Sequence, residues 1–199
     1  MSILKLNNRS VKDVTAFGSI SSLGSLAHIS TQTASSSASL NFTSGIDSTY
    51  KEYIFYFVNM HPETNTAIFQ VGFRDGGSNF DAIKTSTYFY ATHKEDDSQA
   101  LIAYESSYDQ SQSTSFQNLN NTGNENSESI TGYLHLFNPS SLTFVKHYIT
   151  RFVSEGASEQ MSDSFVSGYC NTTTAIDGVS FKFSTGNVDS GQILLFGFN

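Results

Sequence analysis

From Ala38 to Asn199, apolar and polar residues alternate in short runs, and clusters of Gly, Asn, Asp and Ser separate the runs. Successive side chains of a β-strand point to opposite sides of its sheet, so this alternation predicts strands joined by turns. The predicted strands cover residues 38–43, 50–60, 66–74, 85–92, 100–105, 113–119, 129–137, 143–152, 164–171, 176–184 and 190–198.

Two of these runs indicate different kinds of strand. Residues 130–136 alternate Ile, Leu and Leu with Thr, Tyr and His, which is typical of a strand with one side in water. The run Tyr53–Val58 is apolar on both alternating sides, so we expect both sides to be covered, in the centre of a sandwich or at a subunit contact. With no helical periodicity over about 12 residues, roughly ten strands predict a single antiparallel β-sandwich of the all-β class, jelly-roll-like in topology.

Residues 1–37 form a different segment, in which glycine and serine interrupt scattered apolar residues. Such a segment buries no face by itself, so it is either a flexible tail or an arm that orders against a neighbouring subunit. We favour an extended N-terminal arm or docking segment at 1–37 and a sandwich domain at 38–199. The residues expected to make the subunit contacts of the arm are Leu4, Leu6, Val11, Val14, Phe17 and Ile20.

The composition supports strands and excludes some partners. Aromatic residues are abundant, with 17 Phe and 10 Tyr in 199 residues, and aromatic side chains suit a half-buried pleated surface. The formal net charge is -8, and no cluster of Lys and Arg is present to neutralise phosphates. We therefore expect neither nucleic acid nor membrane as a partner.

Cysteine usage and the first residues indicate the compartment. Cys170 is the single cysteine, so no disulfide forms within the chain. Asn7, Asn8 and Arg9 stand where a secretion signal would carry an apolar run. We expect assembly in a reducing cytoplasm.

No spacing of residues predicts an enzyme. The chain has no GxSxG turn for a serine nucleophile and no phosphate-binding loop with lysine, and its histidines do not follow HxH or HExxH spacing. We predict no catalytic residue, no metal site and no cofactor. Calcium held by Glu95, Asp96 and Asp97, or by Glu155, Glu159 and Asp163, remains an alternative, because calcium accepts irregular sets of oxygen ligands. The five histidines are His28, His61, His93, His135 and His147.

Four tyrosines offer an alternative binding role. Tyr88, Tyr90, Tyr104 and Tyr108 fall in neighbouring predicted strands and loops, and exposed rings can stack on a sugar or contact a partner protein. Packing of these rings in the core is the simpler interpretation.

Several blocks of the sequence resemble one family. The block TQTASSSASLNFTSGIDSTYKEYIFYFVNMHP at 31–62 is the most specific part, and the closing GQILLFGFN is similar to the strand that ends such proteins. The chain resembles a family of virion structural proteins, of the capsid decoration or tail-fibre-like kind, from tailed phages of marine bacteria, cyanophages especially. The resemblance spans nearly the whole chain and includes residues 4–8, 14–20, 134–141 and 168–187.

The resemblance implies a place in the virion more directly than a biochemical role. It implies a non-enzymatic component of the particle surface that forms a homo-oligomer, which we expect to be a trimer. Its arm and one strand face would pack against other virion proteins of the capsid or tail. The alternative is a tail-fibre or tip module that contacts host-surface glycans. Either protein would be assembled in the host cytoplasm and would work in the virion.

Overall fold

The computed structural model describes residues 26–199, which form twelve strands and one 3₁₀ helix, Ser106–Tyr108. No helix in this range is long and apolar enough to cross a membrane. The strands are β1 Ala27–Thr33, β2 Leu40–Phe42, β3 Glu52–Pro62, β4 Ala67–Arg74, β5 Lys84–Lys94, β6 Ala100–Tyr104, β7 Gln117–Thr122, β8 Ile130–Phe137, β9 Lys146–Gly156, β10 Gln160–Cys170, β11 Gly178–Phe183 and β12 Val188–Phe198.

The strands form two antiparallel sheets, which confirms the predicted β-sandwich. One sheet has eight strands in the order β1-β12-β3-β8-β9-β10-β5-β6, and the other has four in the order β2-β11-β4-β7. The chain crosses repeatedly between the sheets, as it does in jelly rolls. Because the second sheet has half as many strands, it covers only part of one side of the first.

Phenylalanine rings from both sheets fill the space between them. Phe181 of β11 packs edge-on against Phe57 of β3, with ring centroids 4.8 Å apart, and against Phe55 at 5.3 Å. Phe57 also meets Phe152 of β9 at 5.0 Å and Phe69 of β4 at 5.5 Å. All five rings are buried. The abundance of Phe in the sequence is therefore explained in part by this inter-sheet cluster.

Each of the eleven predicted strands overlaps one of β2–β12, with ends that differ by a few residues. The sequence pattern does not predict β1, which lies inside the segment 1–37 assigned to the arm. It pairs with β12 of the same chain, from Ala27 opposite Gly197 to Thr33 opposite Gln192. Its sequence AHISTQT has few apolar residues because it is an edge strand and half exposed. The arm residues Leu4 to Ile20 lie outside the described residues.

The strand β3 differs from the expectation that both of its sides are covered. Tyr53, Phe55 and Phe57 point into the core and are buried. On the opposite side, Tyr56 is 37% and Val58 43% exposed. Ile54, on the same side, is buried at 7%. Within residues 26–199 the second apolar side of β3 is therefore covered at Ile54 and exposed at Tyr56 and Val58, and cover by a neighbouring subunit stays a prediction.

Candidate functional site: an apolar sheet face and a tyrosine cavity

The side of the eight-stranded sheet turned away from the four-stranded sheet is called the outer face. Its cross-strand pairing joins Tyr56 to Tyr133, Tyr133 to Arg151 and Arg151 to Phe165. The same row continues through the pairs Phe165–Phe89 and Phe89–Tyr104 and, in the other direction, through Leu194 opposite Tyr56. The central row of the outer face consists of Leu194, Tyr56, Tyr133, Arg151, Phe165, Phe89 and Tyr104.

Two neighbouring rings and one guanidinium of the central row pack on one another. Phe89 and Phe165 stack with centroids 4.8 Å apart and planes 6° from parallel. The Arg151 guanidinium carbon lies 5.1 Å from the Phe165 ring centroid. Stacking of this kind holds the side chains in fixed positions, so the outer face is a pre-formed surface.

Large apolar residues are exposed on six of the eight strands of the outer face, with polar residues such as Asp163 and Thr131 between them. Single exposed apolar residues are ordinary on a protein surface, but many of them on one side of one sheet indicate an interaction site. With strands about 4.8 Å apart, eight of them make a face roughly 34 Å wide. The large apolar residues exposed on this face are Tyr56, Val58, Phe89, Ile102, Tyr104, Ile149, Val153, Met161 and Phe198.

One ion pair lies in the middle of the outer face. Arg151 donates from Nε to Asp163 Oδ1 at 3.0 Å and from Nη2 to Asp163 Oδ2 at 2.7 Å, a bidentate pair across β9 and β10. The hydrogen bonds to Asp163 raise the pKa of Arg151. The pair neutralises both charges locally, so the centre of the face carries no net charge that would repel a partner surface.

Three of the four tyrosines identified in the sequence come together on the opposite side of the sheet. Tyr88 and Tyr90 alternate along the inward side of β5, and their ring centroids are 6.0 Å apart. Tyr108 of the 3₁₀ helix packs edge-on against Tyr88 at 4.9 Å. Tyr104 is separate, since it pairs with Phe89 on the outer face and donates its hydroxyl to Asp109. Core packing accounts for Tyr88, which is 3% exposed, but only partly for the other two.

The tyrosines line a cavity of about 240 Å³, called the tyrosine cavity. It exists because the four-stranded sheet ends at β7, whereas β5 and β6 extend the larger sheet beyond it. The 3₁₀ helix and its flanking loop cover part of the remaining gap. The lining residues are Tyr88, Tyr90, Thr92, Glu105, Ser107, Tyr108, Asn121, Gln160 and Ser162.

Glu105 supplies the charge of the tyrosine cavity. Its Oε1 accepts hydrogen bonds from the Ser107 hydroxyl at 2.6 Å and the Ser107 backbone N–H at 3.1 Å, and these bonds lower the pKa of Glu105. Glu105 is therefore a carboxylate at neutral pH. Burial, together with Glu105, raises the pKa of Tyr108, so that phenol stays protonated. Among residues 26–199, no Lys, Arg or His lines this cavity.

Sequence reasoning missed a row of buried polar residues at one end of the sandwich. Cys170 lies between Lys84 of β5 and Lys146 of β9, and all three are buried. Lys84 Nζ donates to the Ser115 carbonyl at 2.7 Å and Lys146 Nζ to the Thr172 carbonyl at 2.9 Å. Burial raises the pKa of Cys170 to about 12 and lowers that of both lysines. The thiol is therefore protonated and unreactive. The sequence signal for this row was the position of Lys84 two residues before Ser86, a spacing that puts both side chains on the same, inward side of β5.

Three of the six acidic residues considered for calcium have other side-chain or backbone partners. Asp163 binds Arg151, Asp97 lies 2.9 Å from His93 Nε2, and Asp96 accepts the Ser98 backbone N–H at 3.0 Å. In the part of the chain that the structure describes, no three His, Cys, Asp or Glu side chains are grouped to hold a metal ion.

Comparison with protein-family models, curated proteins and solved structures finds no match to this chain. Function is therefore inferred from the residues and their geometry.

Proposed function

We propose that the chain is a phage virion structural protein, a non-enzymatic component of the particle surface such as a capsid decoration or an appendage. In this proposal it forms a homo-oligomer and packs against other virion subunits in the capsid or tail. The observation that carries the proposal is the outer face, on which large apolar side chains are exposed on six of the eight strands. The resemblance at residues 31–62 supports the location in a virion.

The size of the outer face suits a protein interface. A face roughly 34 Å wide and about 20 Å along the strands has an area near 700 Å², close to the roughly 800 Å² that each partner contributes to a standard interface. Aromatic residues and one arginine are the types that contribute most to binding energy at the centre of interfaces. The central row has this composition, and its one ion pair is already satisfied within the chain.

The oligomer in this proposal is a trimer, an inference from the resemblance. In this proposal three copies each place the outer face toward a shared axis, and apolar residues of the N-terminal segment contact further virion subunits. The apolar residues Leu4, Leu6, Val11, Val14, Phe17 and Ile20 are the proposed contacts of that arm.

A charge placed on the outer face tests the assembly role. Val153 is 42% exposed on this face, and Val153→Lys adds a charge that would have to be desolvated on association. The matched control is Leu142→Lys, at a residue 75% exposed in the loop after β8. We expect sedimentation velocity to show smaller species for Val153→Lys and unchanged species for Leu142→Lys. Equal sedimentation of wild type and both variants would refute assembly through the outer face.

The virion location requires a separate test. Gold-labelled antibody against the purified protein, applied to intact particles, should decorate the head, the neck or the tail. Particles that carry no label, and that lack the chain in mass spectrometry of purified virions, would refute the location.

A second candidate function is a tail-fibre or tip module that contacts host-surface glycans. The tyrosine cavity favours it, because aromatic rings and polar side chains meet there in a concave site. Purified protein should then adhere to host cells. Absence of adhesion to cells and to glycans extracted from their surface would refute this second function.

A further inference from the structure

We infer that the tyrosine cavity binds a single uncharged sugar ring at the end of a glycan and discriminates against acidic sugars. The inference rests on the second proposed function for its ligand class, and it adds the site, the size and the charge of the ligand. The cavity and the outer face lie on opposite sides of the eight-stranded sheet, so a bound sugar would not compete with assembly.

The volume limits the ligand to one ring. Pockets for drug-sized molecules have about 300–1,000 Å³, and the tyrosine cavity has about 240 Å³. A pyranose fits that space, whereas the rest of an oligosaccharide would extend into solvent.

The walls match the two chemical surfaces of a sugar. The faces of aromatic rings carry partial negative charge and attract the weakly positive C–H groups of a pyranose. Tyr90 and Tyr108 are only half-buried, so parts of these rings remain available beside the buried Tyr88. These rings supply the apolar wall.

The polar wall consists of side chains that both donate and accept hydrogen bonds. Thr92 and Ser162 contribute hydroxyls, and Asn121 and Gln160 contribute amides, from β5, β10 and β7. Each hydroxyl of a sugar also donates one hydrogen bond and accepts others. Residues on three rigid strands therefore present a fixed set of partners for several sugar hydroxyls.

The charge of the cavity decides between neutral and acidic sugars. Glu105 is held as a carboxylate by Ser107, and a carboxylate accepts strong hydrogen bonds from sugar hydroxyls. The same charge repels the carboxylate of a uronic or sialic acid, and no basic lining residue offsets it. Lys94, the next inward residue of β5, is not part of the lining.

The cavity is suited to binding and not to glycoside hydrolysis. Canonical glycosidases place two carboxyl groups on either side of the scissile bond. Glu105 is the one carboxylate among the lining residues in the described chain, and Ser107 already engages it.

The test compares two tyrosines of the same 104–109 region. The full-length protein is titrated by calorimetry with methyl glycosides of glucose, galactose and N-acetylglucosamine, and with glucuronic and N-acetylneuraminic acids. We expect at least one neutral glycoside to bind, at least tenfold weaker binding by Tyr108→Ala, and an unchanged Kd for Tyr104→Ala, whose ring lies outside the cavity. Glu105→Gln should narrow the difference in affinity between neutral and acidic sugars. Because this variant keeps the size of the side chain, it still tests the inference if Tyr108→Ala does not fold.

Three results of the calorimetry would overturn the inference. These are no binding of any neutral glycoside at millimolar concentration, acidic sugars that bind as tightly as neutral ones, and equal loss of binding in Tyr104→Ala and Tyr108→Ala. Cell adhesion separates this inference from the second proposed function. If wild type and Tyr108→Ala adhere equally to host cells, the cavity assignment fails and the second function stands. If the protein binds a neutral sugar but does not adhere to cells, the second function fails and the cavity assignment stands.

Discussion

Two phenylalanines on opposite sides of the eight-stranded sheet should separate folding from assembly. Phe181 reaches this sheet from β11 and packs on Phe55 and Phe57, whereas Phe165 of β10 lies on the outer face and stacks on Phe89. Truncation of each to alanine removes the same atoms from two different environments. We expect Phe181→Ala to lower stability and Phe165→Ala to weaken association.

The expected magnitudes follow from these contacts. A buried Phe truncated to Ala costs about 3–5 kcal/mol, because the transfer free energy is lost and a cavity remains. In a domain of this size that lowers Tm by about 6–20 °C, at about 2–4 °C per kcal/mol. Phe165→Ala loses the stack on Phe89 and the contact with the Arg151 guanidinium, together worth about 1–2 kcal/mol within the chain. It also removes an aromatic residue from the centre of the proposed interface, where truncation weakens association about tenfold or more.

Urea unfolding and sedimentation equilibrium measure the two effects. Unfolding is followed by circular dichroism at a protein concentration low enough to keep every variant monomeric, since association itself adds apparent stability. Phe144→Ala, at a loop residue 68% exposed, is the control for both measurements and should change neither. The reasoning is refuted if Phe165→Ala destabilises the monomer as much as Phe181→Ala, or if it leaves association unchanged.

Three further predictions concern buried groups. Burial raises the pKa of Cys170 to about 12, so a thiol reagent at pH 8 should label it only in urea, and rapid labelling of native protein would contradict the burial. Burial lowers the pKa of Lys84 from 10.5, so just below pH 10.5 the unfolded chain binds more protons than the folded chain. Wild type should therefore gain stability relative to Lys84→Met as the pH rises toward 10.5. A stability difference between the two that does not change with pH in urea unfolding would count against this prediction. A Cβ at Gly168 would lie 2.5 Å from the Tyr148 hydroxyl, so Gly168→Ala should cost about 1–3 kcal/mol in thermal unfolding. Gly156→Ala, with its nearest atom at 3.7 Å, should cost little, and equal losses would contradict the packing.

The strands could be predicted from the sequence because alternation reports local burial. β8 is a clear example, since Ile130, Leu134 and Leu136 point inward and alternate with more exposed residues, and the turn before it is rich in Asn. β1 could not be predicted in this way, because an edge strand with half-exposed polar residues has almost the same pattern as a linker. Its position depends on pairing with β12, which is more than 150 residues away in sequence.

The candidate sites needed information that alternation does not contain. Apolar residues on both sides of Tyr53–Val58 indicated that both sides are covered, in the centre of a sandwich or at a subunit contact. The central row, however, exists only because six neighbouring pairings are in register. Tyr88 and Tyr90 lie on the same side of β5 because they are two residues apart in a strand. Tyr108 joins them through a loop whose path no periodicity encodes, and Tyr104 is on the other side of the sheet because of its pairing with Phe89.

Solvent accessibility of one engineered thiol in the assembled protein would test most directly whether the outer face is covered. Because Cys170 is buried, Val153→Cys places a single accessible thiol on the outer face, and Leu142→Cys places one in the loop after β8. Maleimide labelling is timed on the purified oligomer and on intact particles. We expect slow labelling at position 153 and fast labelling at position 142 in both samples. Labelling of position 153 as fast as position 142 would contradict a covered outer face.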